Sequence, residues 1–265
     1  MVYMKKDVIR LNEQKLKTEL NSLKVDVKIF DTISSTSTYA RNNIDSFINN
    51  ILVASEHQSE GRGRKGNSFI SNERGIYFTL CLKDLNIDQI DLITIIAGIS
   101  LVRTLKEKNI NCTIKWVNDI FFKNKKCAGI LAEAVCDSSK NRWILLGVGI
   151  NINLKKLDSR IKDVATSIFI DNYDPNEIIS RYIIILDELL KINTNMIIEE
   201  YKKYLNMLNK WIDFTYKDKK CKGLTIDITN KGHLLVKCKD DVLELSSGEI
   251  SITSSQIVET FVNKK

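Results

Sequence analysis

The stretch GRGRKG, residues 61–66, sets three glycines among Arg62, Arg64 and Lys65. Glycine lets a backbone approach a ligand closely, and arginine and lysine meet anionic oxygens through charge-assisted hydrogen bonds. The spacing fits a G-x-G-x-x-G nucleotide turn letter for letter. A dinucleotide turn, however, works by opening a helix whose N-terminus faces the pyrophosphate. Here the following residues, NSFISNERGIYFTLCL, alternate at Ile76, Phe78 and Leu80 as a strand does. A protein-kinase glycine loop does lie between strands, but its H-R-D, D-F-G and A-P-E partners occur nowhere in the chain. Taken alone, GRGRKG reads as a solvated basic hairpin tip.

Other segments carry chemistry-bearing side chains: SST at 34–36, EHQ at 56–58, KWVNDIFFKNKKCAGI at 115–130 and GVGININ at 147–153. Each has an ordinary reading of its own. Ser35 and Thr36 are helix-cap residues, Asn118 with Asp119 makes a turn, and Lys126 is one of three turn lysines with Lys123 and Lys125. Gly129, Gly147 and Gly149 fall in strand-like stretches, where glycine marks a close approach by ligand or backbone. Taken together and in this order, the segments resemble the motifs of the biotin protein ligases: D-S-T-N, Q-x-x-G-R-G-R-x-G-R-x-W, K-W-P-N-D, K-x-A-G-I and G-x-G-I-N. The resemblance covers about residues 30–255 and includes an A-T-S-hydrophobic run at Ala165–Ile168 and S-G-E at Ser247–Glu249.

The resemblance implies an ATP-dependent ligase that joins biotin to AMP and passes the biotinyl group to a lysine of a carboxyl carrier domain. Its site residues follow by position. Ser35, Thr36 and Gln58 would hydrogen-bond the ureido ring of biotin, with Gly61, Arg62, Gly129 and Gly147 also against biotin. Arg62, Arg64, Phe69, Asn118 and Asn151 would face ATP or the adenylate. Lys126 would hold the biotin carboxylate beside the α-phosphate in both steps, and Arg64 and Asp119 would share in catalysis, Asp119 also beside Mg2+ accompanying ATP. An anion attacking a polyanion needs its charge offset where negative charge develops, which suits these cations. The reactive mixed anhydride also needs shielding from water, which suits a glycine-rich loop that closes over it. Two positions depart from the pattern: Asn67 replaces the second loop arginine and Val117 the proline of K-W-P-N-D. Losing a charge-assisted hydrogen bond costs roughly 1.5–3 kcal/mol, and Lys65 is the neighbouring cation that could offset it. Phe69 keeps a ring at the tryptophan position without its indole N–H, and equally fits a plain core residue. His57 matches no catalytic position.

These residues require a scaffold. Helical spacing predicts a helix within 7–23, a second over about 36–50, a long apolar one beginning at IDQIDLITIIAGIS, and two more after the Asp174–Pro175 start, reaching about Asn209. Between them come strands VDVKIF, ILVASEH, CTIKW, DIFF, CAGILAEAV and WILLGVGIN. Strand runs bracketed by helices predict an α+β fold, a mixed, largely antiparallel sheet flanked by helices. From Trp211, short alternating strands predict a small C-terminal β-barrel, SH3-like by the resemblance. The expected domains are 1–210, with residues 1–24 a short helical extension, and 211–265.

Hydrophobic residues at 43% and charged residues at 28% describe an ordinary globular protein. Six cysteines without a C-x-x-C pair, and only two histidines, argue against zinc and for reduced thiols. No signal peptide and no membrane-length apolar run is read, so the expected location is the cytoplasm. The net charge of +7 suits nucleotide phosphates or an acidic partner as well as nucleic acid. About 24 residues before the first strand hold one helix, whereas groove reading takes two; a DNA-binding repressor is therefore disfavoured. The expected partners are biotin, ATP and the carrier domain of a biotin-dependent carboxylase, with no DNA and no membrane, in a monomer or homodimer. The rival enzyme is a lipoate ligase, whose family expects an R-R-x-S-G-G-G loop in place of GRGRKG.

Overall fold

The structure, a computed structural model, describes residues 9–71, 74–85, 87–239, 241–246 and 250–252. A seven-stranded sheet is built from β1 (Asp26–Ile33), β2 (Ile51–Gln58), β3 (Ile76–Lys83), β4 (Thr113–Lys115), β5 (Asp119–Phe122), β6 (Lys125–Cys136) and β7 (Arg142–Ile150). Their order across the sheet is β1-β2-β3-β7-β6-β5-β4. Only β1 and β2 run parallel, joined through helix α2 (Thr36–Asn42); every other neighbouring pair in this sheet is antiparallel. The α+β reading with a mixed, largely antiparallel sheet holds.

The strand alternation gives the sheet two unlike faces. Leu52, Ala54, Phe78, Leu80, Leu146 and Val148 point to the main core. Helices α1 (Glu13–Glu19), α3 (Ile87–Glu107), α4 (Pro175–Leu189) and α5 (Thr194–Tyr204) pack their buried residues into the same core. Each fully buried leucine or isoleucine there is worth about 1.5–3 kcal/mol relative to exposure. Helix α4 begins as its sequence dictates: Asp174 caps it by accepting from Asn176 N at 2.8 Å, and Pro175 occupies the first turn. On the opposite face, Val53, Cys81, Trp143 and Leu145 pack under Ala40 of α2 and the following Ile44.

Two expectations change. The second helix ends at Asn42 rather than near residue 50, and a single 3-10 turn, Ile44–Ser46, follows. Asn43 Nδ2 donates to Tyr39 O at 2.9 Å and Ser46 Oγ to Asn43 O at 2.7 Å, so side chains take carbonyls that a continuing helix would use. The C-terminal strands β8 (Trp211–Tyr216), β9 (Lys219–Ile228), β10 (Leu234–Cys238), β11 (Asp241–Leu245) and β12 (Ile250–Ile252) form an antiparallel sheet in the order β11-β10-β9-β8-β12. Among the described residues β11 and β12 are its two edges, and a closed barrel is not seen there. Ser247–Glu249 lie outside the described residues. Ile212, Phe214, Leu234 and Val236 of this sheet are continuous with the main core, and Trp116 Nε1 donates to Gly232 O at 2.9 Å. No helix of the described residues is long and apolar enough to cross a membrane.

Candidate active site

The second face of the sheet becomes a cleft because its side chains shrink along β7. Trp143 and Leu145 fill the space under α2, but the next two residues on that face are Gly147 and Gly149. Their cross-strand neighbours are Thr79 and Tyr77 on β3 and Leu131 and Gly129 on β6. A Cβ on Gly147 would stand 2.9 Å from Ser37 Oγ, and one on Gly149 would stand 2.6 Å from Phe69 Cε1. The glycines are therefore what lets Ser37 and Phe69 approach the sheet. The resulting cleft is lined by Thr36, Gln58, Arg62, Arg64, Phe69, Asn118, Lys126, Gly129 and Gly147 of the sequence-predicted set, together with Ser37 and Leu131.

One end is polar and uncharged. Gln58 Oε1 accepts from Thr36 N at 2.9 Å and from Thr36 Oγ1 at 3.1 Å, while Gln58 Nε2 donates to Ser71 Oγ at 3.2 Å. The Thr79 hydroxyl lies 2.9 Å from that of Thr36 and 3.0 Å from that of Ser37. All five residues are buried. A hydroxyl and amide network of this kind offers both donors and acceptors to a rigid polar group.

The other end is cationic. Residues 58–71 form a hairpin, with Gln58 bridged to Ser71 and Arg62 to Ser68, Phe69 N donating to Gly61 O at 2.8 Å, and a 3-10 turn at Arg64–Gly66 as its tip. No helix opens there, as the strand-like sequence after the motif predicts. Arg64 donates to Asn118 Oδ1 at 3.0 Å, and Asn118 is itself fixed by Nδ2 donating to Ile130 O at 2.8 Å. Burial lowers the Arg64 pKa, with Asp119 acting against that shift. Lys126 Nζ sits 2.7 Å from Asp119 Oδ1 and 5.9 Å from the centre of the Phe69 ring. Of the turn lysines, Lys126 lines the cleft, while Lys125 Nζ bonds Lys162 O at 3.0 Å.

Four predicted residues stand apart from the lining. Ser35 caps α2, its Oγ accepting from Thr38 N at 3.3 Å. Gly61 allows hairpin closure, because a Cβ there would meet Phe69 O at 2.3 Å. Asp119 approaches the cleft through Lys126. Asn151 is buried, and its Oδ1 has no hydrogen-bond partner among the described residues. The Lys65 side chain lies outside the described residues, and Asn67 is exposed with its amide donating to Arg64 O at 3.1 Å.

Sequence reasoning passed over Ser37, Thr79, Glu133 and Lys115. Lys115 is buried and is the cross-strand neighbour of Asp119. Burial lowers its pKa, Asp119 opposing and Lys126 adding to the shift. Its place in the quoted KWVND segment was a usable signal, whereas nothing in the sequence pairs Thr79 with Ser37. Among the described residues no group of three or more His, Cys, Asp or Glu is placed to hold a metal ion.

Residues 29–151 match the family described as Biotin/lipoate A/B protein ligase. The bifunctional ligase/repressor BirA of Bacillus subtilis is 34% identical over 122 residues, which are 44% of this chain and 38% of that relative. The matched part thus spans well under half of that relative's length. The biotin--[acetyl-CoA-carboxylase] ligase of Mycobacterium tuberculosis is 25% identical over 154 residues, 54% of this chain and 56% of that one. Among solved structures, a biotin protein ligase from Aquifex aeolicus in complex with biotin and ATP superposes with a TM-score of 0.73. It has 24% identity and covers 86% of this chain and 98% of that one. Likeness of this degree shows a shared fold.

Proposed function

From the match of residues 29–151 to the Biotin/lipoate A/B protein ligase family, we propose that the chain is an ATP-dependent biotin ligase. It would activate biotin as biotinyl-AMP and transfer it to a lysine of a carboxyl carrier domain. The observation that carries this reading is the two-ended cleft. Gly147, beside Ser37 and Thr79, and Gly149, beside Phe69, are two residues apart on one strand, a rise of roughly 6–7 Å. Within that span the lining changes from neutral donors and acceptors to Lys126, beside Gly129, and Arg64, held by Asn118. Biotin has the same order of groups: a neutral ureido ring, then a chain ending in carboxylate.

In the first step the carboxylate oxygen attacks the α-phosphorus, the P–O bond to pyrophosphate breaks, and pyrophosphate leaves. Lys126 neutralises the approach of the two anions, and Arg64, held by Asn118, faces the nucleotide phosphates. In the second step the acceptor amine attacks the acyl carbon and AMP leaves. The hairpin with Phe69 covers the anhydride against water. Mg2+ would arrive with ATP, held chiefly by phosphate oxygens as Mg2+ commonly is, with Asp119 as the protein's contribution and charge neutralisation as its chemistry. Asn151, whose buried Oδ1 has unmet acceptor capacity, suits an amino donor such as that of adenine.

A dithiolane ring offers no hydrogen bonds to Thr36, Ser37, Gln58 and Thr79, so lipoate would forgo the polar contacts that a ureido ring can make with this end of the cleft. The test is ATP-dependent acyl-adenylate formation with biotin or lipoate supplied separately. Activation of biotin alone is expected, and activation of lipoate alone would overturn the reading. We place this chemistry in the cytoplasm, with a unit boundary near residue 210 and an SH3-like small domain beyond it.

A further inference from the structure

The cleft arginine Arg62 does not stand alone. Its guanidinium Nη2 lies 3.3 Å from Glu133 Oε1 on β6, and the same oxygen lies 2.8 Å from Arg41 Nη2 on α2. The other oxygen, Oε2, is buried without a hydrogen-bond partner among the described residues. Among the described residues, the compensation of this carboxylate runs through one oxygen and two arginines that come from different elements. The two bonds are unequal. Arg41 forms the closer ion pair, at 2.8 Å, whereas the hydrogen bond from Arg62, at 3.3 Å, is longer than the usual charge-assisted range.

We propose that Glu133 and Arg41 form a release latch for the substrate hairpin. Before substrate enters, Glu133 holds Arg62, and through it the hairpin, over the cleft. When an oxyanion of biotin or of the nucleotide arrives, Arg62 moves to it, and Arg41 stays to keep Glu133 compensated. Arg41 thus makes the transfer of Arg62 inexpensive, since an acidic group stripped of both cations would resist it. Both residues are positioning residues and touch no substrate. The inference rests on the reading of Arg62 as an anion-binding group of the proposed ligase.

Arg41→Ala leaves Arg62 as the sole partner of Glu133, so substrate must compete harder for it. Exposed ion pairs are worth about 0.2–1 kcal/mol, which corresponds to a rise of up to about fivefold in the KM of biotin or of ATP, with kcat unchanged. Glu133→Gln in the same chain removes the competitor, so the double variant Arg41→Ala/Glu133→Gln returns that KM to within about twofold of the parent. A purely structural role predicts the opposite, damage that accumulates in the double variant. Independently of any activity, Glu133→Gln should speed amide hydrogen exchange at residues 62–69 of the ligand-free protein.

The experiment is adenylate formation titrated in biotin and in ATP for the parent and the variants, with hydrogen exchange on the same preparations. A raised KM in Arg41→Ala that the second substitution reverses supports the latch. Unchanged KM for both substrates, or a double variant no better than Arg41→Ala, overturns it. If the parent forms no adenylate, the ligase reading fails, and the exchange comparison still decides whether Glu133 restrains the hairpin.

Discussion

Replacing Gly149 by alanine tests the cleft geometry with the smallest possible change. The added Cβ would stand 2.6 Å from Phe69 Cε1 and 2.8 Å from Cζ. Carbon atoms in contact settle at about 3.5–4.0 Å, so one side must yield by about 1 Å. The strand is not the side that yields, because Gly149 is paired to Tyr77 on one flank and to Gly129 on the other. Phe69 is on the hairpin and moves, and with it the wall shared with Lys126. Misplacing a reacting assembly by about 1 Å costs on the order of 10²-fold in rate. Overpacking costs about 1–3 kcal/mol in a rigid core, and the low end applies to a hairpin side chain that can shift. The assay is the initial rate of pyrophosphate release from ATP with biotin present, alongside a thermal midpoint. About 10²-fold slower release is expected, with the midpoint lowered by about 2–4 °C per kcal/mol lost. A folded Gly149→Ala protein that releases pyrophosphate at the parent rate would show that Phe69 does not shape the reacting site.

Three further outcomes follow from the same geometry. Lys126→Ala should lower kcat by about 10²–10³, the effect of removing a donor at developing charge. Its partly exposed pair with Asp119 limits the stability loss to about 1 kcal/mol, so a folded variant with unchanged turnover would remove Lys126 from the mechanism. Thr79→Val takes a shared partner from Thr36 and Ser37; the KM of biotin should rise while that of ATP stays, and equal rises in both would deny the neutral end its role. The hydrogen bonds from Arg181 hold Glu107 below its ordinary pKa of 4.5. A carboxylate lowered on folding adds stability that is present above that value and lost as pH falls through the lower folded value. Arg181→Ala should therefore flatten the acid limb of the stability curve, by less than about 1 kcal/mol because both side chains are partly exposed. An unchanged limb would place the acid sensitivity elsewhere.

The scaffold was legible wherever one local rule decided it. Alternation in GIYFTLCL and WILLGVGIN gave β3 and β7, and the Asp174–Pro175 pair gave the start of α4. It was less legible where side chains compete with backbone: Asn43 and Ser46 stop α2 early, although Ile44 and Phe47 keep helical spacing. The cationic half of the cleft was readable because Arg62, Arg64 and Lys126 sit in compact motifs. The neutral half was readable only in part. Thr36 and Gln58 belong to recognisable segments, but Ser37 and Thr79 are ordinary residues that meet only when α2 lies across β3. Ser35 illustrates the reverse, a motif residue whose hydroxyl is occupied by capping. Arg41 and Glu133 are separated by 92 positions, and no spacing rule links them.

The central claim is that the cleft serves biotin transfer to a protein lysine. Its most direct measurement is the incorporation of labelled biotin into a purified carboxyl carrier domain, with ATP, in the presence and absence of this protein. The account predicts label on one carrier lysine that requires the protein and ATP and disappears when that lysine is replaced. No label above the protein-free control, with a folded enzyme and an intact carrier, would contradict it.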